Sequence, residues 1–373
     1  MTFLPFTRPH IDEDAIRGIA EVLRSGWIAS GPQVLRFEAA LSAYVSGRPV
    51  RVTTSATQAL EIALRVAGIA GGAEVILPAM SFVASANVIV RAGAKPVFVD
   101  IDPHTRNVDL DQVERVITPA TRAIMPVHFA GLPVDIDRLY AIAQRHRLRV
   151  IEDAAHAIGS AWQGRRIGAT GDLVCFSFHP NKNITTIEGG AIVASDPEEV
   201  LAIEQHRFHG ISKSAEEADV LLAGGKANMP DVCARLGLSQ LPHLDDFNER
   251  RRQLAALYFE SLAAVEALQL PARGDEGHSW HMFAPLLALD RLALTRRDFI
   301  GLMADRRIGV GVHYPAIHLF SFYRGFGYRE GDFPNAERVG RETVTLPLFP
   351  AMTAADIERV CTAVREIVEA HRR

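Results

Sequence analysis

Short apolar, β-rich runs recur through this sequence at regular intervals, and stretches of helical pattern separate them. The runs are Val50–Thr54, Glu74–Pro78, Lys95–Ile101, Arg122–Phe129, Leu148–Ala154, Leu173–His179 and Gly190–Ser195. Between them, Ala56–Val66 and Asp135–Arg145 read as amphipathic helices. The second carries Ile136, Leu139, Tyr140 and Ala143 on its apolar stripe. Strands this apolar are buried on both faces, so helices must cover both sides of a mostly parallel sheet. The fold class that follows is α/β.

One connection departs from the pattern. Only ten residues separate His179 from Gly190, whereas a parallel crossover takes a dozen or more. These two strands are expected to be antiparallel neighbours, with the loop between them pinned at both ends. From about Asn248 the texture changes. A helix over Glu249–Val265 leads to a turn region at Pro271–Gly277, then mixed strand and helix, then a closing helix over Ala354–His371. This predicts a large α/β domain over 1–245 and a smaller α+β domain over 246–373.

Composition bounds the function. With 40 Lys+Arg against 44 Asp+Glu, the net charge is −4, which argues against nucleic-acid binding driven by bulk positive charge. The three cysteines, Cys175, Cys233 and Cys361, are scattered. They suit a reducing cytoplasm and exclude a disulfide framework or a Cys-rich metal site, so no metal is expected. No apolar run is long enough to span a bilayer, and the first residues lack a signal-peptide pattern. A cytoplasmic protein without a membrane partner is expected.

Three segments carry chemistry. Val150-Ile-Glu-Asp-Ala-Ala-His156 ends an apolar strand in Glu152 and Asp153. Ligands of open α/β sheets sit beyond strand carboxyl ends, where a carboxylate serves as cofactor partner, metal ligand or helix cap. The short loop holds Lys182, the only lysine between Lys95 and Lys213. A loop lysine is usually a solvated surface group. Flanked by apolar strands, it can instead lose its charge and become a nucleophile for carbonyls. Thr53-Thr-Ser-Ala-Thr-Gln-Ala-Leu60 passes from strand to helix through small hydroxyl residues. It reads either as a phosphate cradle or as a plain cap. A phosphate site, a carboxylate and a lysine at one sheet edge are together what pyridoxal phosphate requires.

At this point the chain resembles the DegT/DnrJ/EryC1/StrS family of pyridoxal-phosphate-dependent sugar aminotransferases. The segments that carry the resemblance run nearly end to end. They are Ser25-Gly-Trp-Ile-Ala-Ser-Gly-Pro32, Pro126-Val-His-Phe-Ala-Gly131, Ile151-Glu-Asp-Ala-Ala-His-Ala157, Phe178-His-Pro-Asn-Lys-Asn-Ile184 and Val312-His-Tyr-Pro-Ala-Ile-His318. Within the family it is most similar to UDP-4-amino-4-deoxy-L-arabinose aminotransferases. The resemblance implies the type I aminotransferase fold, with a mostly parallel, mixed seven-stranded sheet and a smaller C-terminal domain.

It also implies roles. Lys182 matches the Schiff-base lysine, Asp153 the partner of the pyridine nitrogen, and His156 a group beside the ring or its phenolic oxygen. Phe82 matches the aromatic that stacks on the ring. Ser55, Ala56 and Thr57 match the phosphate turn, and Ser177 adds a hydroxyl. Asn228 matches a residue that a second subunit offers to the cofactor phosphate, so a homodimer with shared sites is implied. Many relatives have Tyr where this chain has Ala227, and a longer insert before this loop. Trp27, His313, Tyr314 and His318 are substrate-side candidates, each with a structural reading beside it. Lys182 stands against the dehydratase branch, which has histidine there, and three scattered cysteines cannot ligate an iron–sulfur cluster. The implied reaction moves an amino group from glutamate, leaving 2-oxoglutarate, to the ketone of a nucleotide-linked 4-keto sugar. Other keto-sugars or a keto-cyclitol, a pyridoxal-phosphate-bound regulator without turnover, and an unrelated α/β protein are the alternatives.

Overall fold

The computed structural model describes residues 2–213 and 217–373. Its central sheet has seven strands: β1 (Val50–Thr53), β2 (Glu74–Pro78), β3 (Lys95–Val99), β4 (Thr121–Ile124), β5 (Arg149–Asp153), β6 (Leu173–Ser177) and β7 (Gly190–Val193). Their spatial order is β1-β7-β6-β5-β4-β2-β3. Pairs β2–β3, β2–β4, β4–β5 and β5–β6 are parallel. β7 runs antiparallel to both β6 and β1. The short connection thus joins antiparallel neighbours, as its length predicts.

Strand alternation sorts side chains onto two faces. On β5, Ile151 packs with Leu60, Leu64 and Ile89 from the helices Ala56–Val66 and Ala84–Arg91. Val150 packs on the other face with Leu139 and Ile142 of the helix Ile136–His146 and Phe37 of the helix Pro32–Tyr44. The period of two then sends Asp153 to the face of Ile151 and Glu152 to the face of Val150.

A third core joins Leu254, Tyr258 and Leu262 of the helix Leu244–Leu262 to Val360, Val364 and Ile367 of the helix Ala354–Ala370. The first of these helices belongs to two cores, because its Leu244 and Phe247 pack against the sheet. It starts five residues before the Glu249 expected from the sequence. A 3₁₀ turn at Leu241–His243 feeds it directly, and Asp245 and Asp246 suit the positive end of its dipole. The run Arg122–Phe129 ends as a strand at Ile124. Pro126 has no N–H for a ladder, and the chain turns at Ala130 with φ 57°. Among the described residues, no helix is long and apolar enough to cross a membrane.

Ile151 is completely buried beneath the cleft. Ile151→Ala is expected to cost about 2–5 kcal/mol, read as a lowered guanidinium midpoint. A loss below about 1 kcal/mol would show that this layer can collapse around the void.

Candidate active site

The segments that follow β1, β2, β5 and β6 converge at one edge of the sheet. They enclose a cleft of about 350 Å³. A larger groove of about 810 Å³ is lined by Val265, Ala267 and Val368 with Glu266, Arg365 and Arg372 and includes none of the residues expected in the site. The smaller cleft is lined by Ser55, Ala56, Thr57, Phe82, Asp153, His156, Ser177, Lys182, His313 and Tyr314. Ten positions picked out from distant parts of the sequence therefore meet at one place.

Lys182 lies in the loop between β6 and β7. Phe178 N–H donates to the Gly189 carbonyl (2.9 Å), and Thr186 N–H donates back to the Phe178 carbonyl (3.0 Å). The Lys182 amide donates to the His179 carbonyl at 2.8 Å. Burial of the amine lowers its pKa to about 8, and the negative charge of Asp153 opposes that shift.

Asp153 is buried. Desolvation pushes its carboxyl up, while a hydrogen bond from Ser85 Oγ (2.6 Å), one from the Ala155 amide (3.2 Å) and the charge of Lys182 pull it back. Glu152, its sequence neighbour, faces the other way. It accepts from Tyr140 Oη at 2.7 Å and pairs with His128 Nε2 at 2.9 Å. His128 Nδ1 accepts from the Val134 amide, so Nε2 carries the proton towards Glu152. Sheet alternation thus settles which of the two carboxylates is available to a ligand.

His156 is buried and held well below the usual histidine pKa, so it is neutral. Its Nδ1 accepts from the Ala130 amide at 3.3 Å, which leaves Nε2 protonated, 3.2 Å from Tyr314 Oη. The His281 ring lies 4.5 Å from the His156 ring. His281 Nδ1 bonds Asn183 Oδ1 at 3.2 Å, and Asn183 Nδ2 donates to Asn248 Oδ1 at 2.6 Å. A polar wall therefore backs both His156 and the residue next to Lys182. His313 bonds Thr345 Oγ1 at 2.8 Å, and its burial, aided by Lys182, lowers it to about 4.

The opposite end of the cleft is a helix start. Ser55 caps it by accepting the Gln58 amide at 3.2 Å. Ala56 and Thr57 stand in the first turn, where amides have no intrahelical acceptor. A Cβ on Gly190 would lie 2.5 Å from the Ala56 nitrogen, so glycine there keeps the turn open. Phe82 is 54% exposed, so it forms part of the cleft wall instead of the core. A neutralisable amine, a buried carboxylate, an exposed aromatic and an open helix N-terminus fit pyridoxal phosphate: lysine for the aldehyde, carboxylate for the ring nitrogen, amides for the phosphate.

Residues 9–365 match the DegT/DnrJ/EryC1/StrS aminotransferase family. The chain belongs to this family. The spore coat polysaccharide biosynthesis protein SpsC of Bacillus subtilis is 39% identical over 98% of this chain and 97% of its own. Spr1654 of Streptococcus pneumoniae, assigned as a sugar aminotransferase, superposes in its pyridoxamine phosphate form with a TM-score of 0.94. It is 32% identical, over 99% of this chain and 98% of that one. Its pyridoxal phosphate form gives 0.93. PseC of Helicobacter pylori, an aminotransferase involved in pseudoaminic acid biosynthesis, gives 0.91 at 27% identity over 99% of this chain and all of that one. The fold is the type I aminotransferase fold, and the chain is a sugar aminotransferase with pyridoxal phosphate as cofactor.

Three expected site residues lie outside the cleft of a single chain. Trp27 is 60% exposed, with Nε1 3.4 Å from the Ser30 carbonyl. Asn228 donates to Ser30 Oγ and accepts from Lys226 Nζ at 2.6 Å. His318 is buried and pairs with Glu337 Oε1 at 3.0 Å, so it supports its own loop and does not reach the cleft. The sequence reading missed Ser85, Asn183, His281 and Gly190. Ser85 follows Ser81 at a one-turn spacing that was visible in advance. His281 lies 98 residues from Asn183 and gave no local signal.

A pKa near 8 puts the neutral, nucleophilic form of Lys182 in the majority above that pH. Capture of pyridoxal phosphate by the apoprotein is expected to quicken as pH rises and to level off past about pH 8, followed by absorbance. A rate that keeps climbing towards the ordinary lysine range would contradict the burial argument. Lys182→Ala is expected to give no borohydride-fixed chromophore.

Proposed function

We propose that this enzyme moves the amino group of glutamate to the ketone of a nucleotide-linked keto-sugar. The preferred acceptor is a UDP-4-keto sugar. The products are 2-oxoglutarate and an amino sugar for cell-envelope or glycan biosynthesis, lipopolysaccharide included. The observation that carries the reading is Lys182 and Asp153 sharing one desolvated cleft whose far end is an open helix start. The names of SpsC, a spore coat polysaccharide biosynthesis protein, and of PseC, an aminotransferase involved in pseudoaminic acid biosynthesis, support a sugar product.

The bound cofactor supplies an electron sink for the charge left on carbon when a proton departs. Lys182 Nζ takes the proton from the glutamate α-carbon in the first half-reaction. It returns a proton to the former ketone carbon of the sugar in the second. Asp153 keeps the ring nitrogen's proton in place by its charge. Ser55, Ala56, Thr57 and Ser177 would hold the phosphate and Phe82 would lie against the ring, while neutral His156 orients Tyr314. His313 and Tyr314 meet the substrate from the C-terminal segment, and Trp27 meets it from the N-terminal one. We read 1–245 as the cofactor domain and 246–373 as the part that closes over the substrate, in a cytoplasmic enzyme.

Among the described residues, the lining of this cleft includes no arginine, and Lys182 is its one lysine. A dianionic diphosphate and a dicarboxylate would be better held with further cationic groups from beyond it. This supports a homodimer in which the Lys226–Asn228 segment completes the partner's site.

Two experiments test the reading. Nucleotide keto-sugars of varied ring and ketone position are incubated with glutamate, and products are identified by mass. Amination of the UDP-4-keto sugar is expected. Product from a 3-keto sugar or keto-cyclitol alone would reassign the acceptor, and no product from any would overturn the activity. Separately, Lys182→Ala and Asn228→Ala chains are co-expressed. Mixed dimers are expected to recover activity that neither variant has alone, because one of their sites is intact. Absence of recovery in verified mixed dimers would contradict shared sites.

A further inference from the structure

Ser85 lies in the helix Ala84–Arg91, one turn beyond Ser81, and the reaction outlined above gives it no part. Its Oγ is 2.6 Å from Asp153 Oδ2, 2.9 Å from Ser81 Oγ and 3.2 Å from the Phe82 carbonyl oxygen. Ser81, Ser85 and Asp153 are all buried. A hydroxyl has one hydrogen to give. With Asp153 ionised, Ser85 gives it to the carboxylate and Ser81 donates to Ser85. With the proton on Asp153 Oδ2, that proton goes to Ser85, whose own hydrogen must turn to the Phe82 carbonyl or to Ser81.

The two arrangements are unequal. A separation of 2.6 Å belongs to charge-assisted O–H···O⁻ bonds. In the alternative, the hydroxyl hydrogen either falls on the 3.2 Å contact with the Phe82 carbonyl or reverses the 2.9 Å bond to Ser81, whose own hydrogen then loses Ser85 as its acceptor. The serine chain therefore favours the carboxylate form in a pocket where desolvation favours the neutral one.

We propose that Ser85 is a positioning residue for the reaction: its hydroxyl, supplied by Ser81, holds Asp153 as a carboxylate for the pyridine nitrogen of the bound cofactor. This rests on the reading of Asp153 as that nitrogen's partner. Phe82 stands between the two serines, so one segment both covers the ring face and sets the charge opposite the ring nitrogen.

The test uses holoenzyme loaded with cofactor labelled with nitrogen-15 in the ring. Wild type is compared with Ser85→Ala, Ser85→Thr, Ser81→Ala and Asp153→Asn, each checked for folding by circular dichroism. In Ser85→Ala the ring-nitrogen resonance is expected to move towards its unprotonated position. The glutamate half-reaction is expected to slow about ten- to a hundredfold, the value of a hydrogen bond to a charged group. Half-saturating glutamate should stay put, because binding is not what changes. Ser85→Thr, which keeps the hydroxyl, should restore both signals, and Ser81→Ala should fall between. A folded Ser85→Ala with a protonated nitrogen and an unchanged rate overturns the proposal, provided that Asp153→Asn shifts the resonance. If Asp153→Asn leaves the nitrogen protonated, the role of Asp153 falls, and the role of Ser85 with it. If Ser85→Ala does not fold, Ser81→Ala decides: a shifted resonance supports the proposal and an unmoved one overturns it.

Discussion

Burial acts on the two central groups in opposite chemical senses and pushes both towards neutrality: Asp153 upward, Lys182 down to about 8. Each opposes the other's shift by its charge. On the proposed reading the amine must be neutral to attack a carbonyl, and the carboxylate charged to hold a ring proton. Geometry resolves the conflict. Asp153 receives two hydrogen bonds, from Ser85 and Ala155, whereas among the described residues no side-chain acceptor is seen on the Lys182 amine. Desolvation therefore prevails at the lysine and is resisted at the aspartate. The rest of the molecule serves to keep that asymmetry dry and in register.

The sheet does this through direction. Because β7 is antiparallel, the chain returns from β6 in a short loop with no covering helix. A parallel return would have needed a longer crossover across the sheet face. The lysine loop is consequently tight, closed by backbone bonds at its base and fixed in depth. Alternation along β5 then disposes of the second carboxylate, which His128 and Tyr140 occupy on the far face. One acidic pair in the sequence becomes one carboxylate engaged on the far face and one that lines the cleft.

The strand–helix rhythm, the short antiparallel return and the three reacting segments could all be read from the sequence, since each depends on local pattern. Ala56–Val66 has the bounds its apolar spacing predicts. Less could be read where tertiary packing decides. The helix from Leu244 begins in charged residues whose first turn is fixed by the preceding 3₁₀ turn. His318 sits in a segment that resembles substrate-side residues, and only burial against Glu337 shows that it supports a loop. The wall of Asn183, Asn248 and His281 joins three remote stretches, and no spacing rule connects them.

The helix Leu244–Leu262 has a mechanical consequence. Its first turns are anchored in the sheet core and its last turns in the third core. Between them, Asn248 bonds the neighbour of Lys182, and one helical turn later Arg251 Nη1 reaches the carbonyls of Trp280, His281 and Leu348. The helix is thus tied near its start to the Lys182 loop and, a turn further on, to the segments around Trp280 and Leu348. The bonds of Asn248 to Asn183 and to the Ile158 carbonyl cross to the sheet side, so they are the ones that a rotation of the C-terminal part would strain. A displacement of the helix at Asn248 would therefore be felt directly beside Lys182.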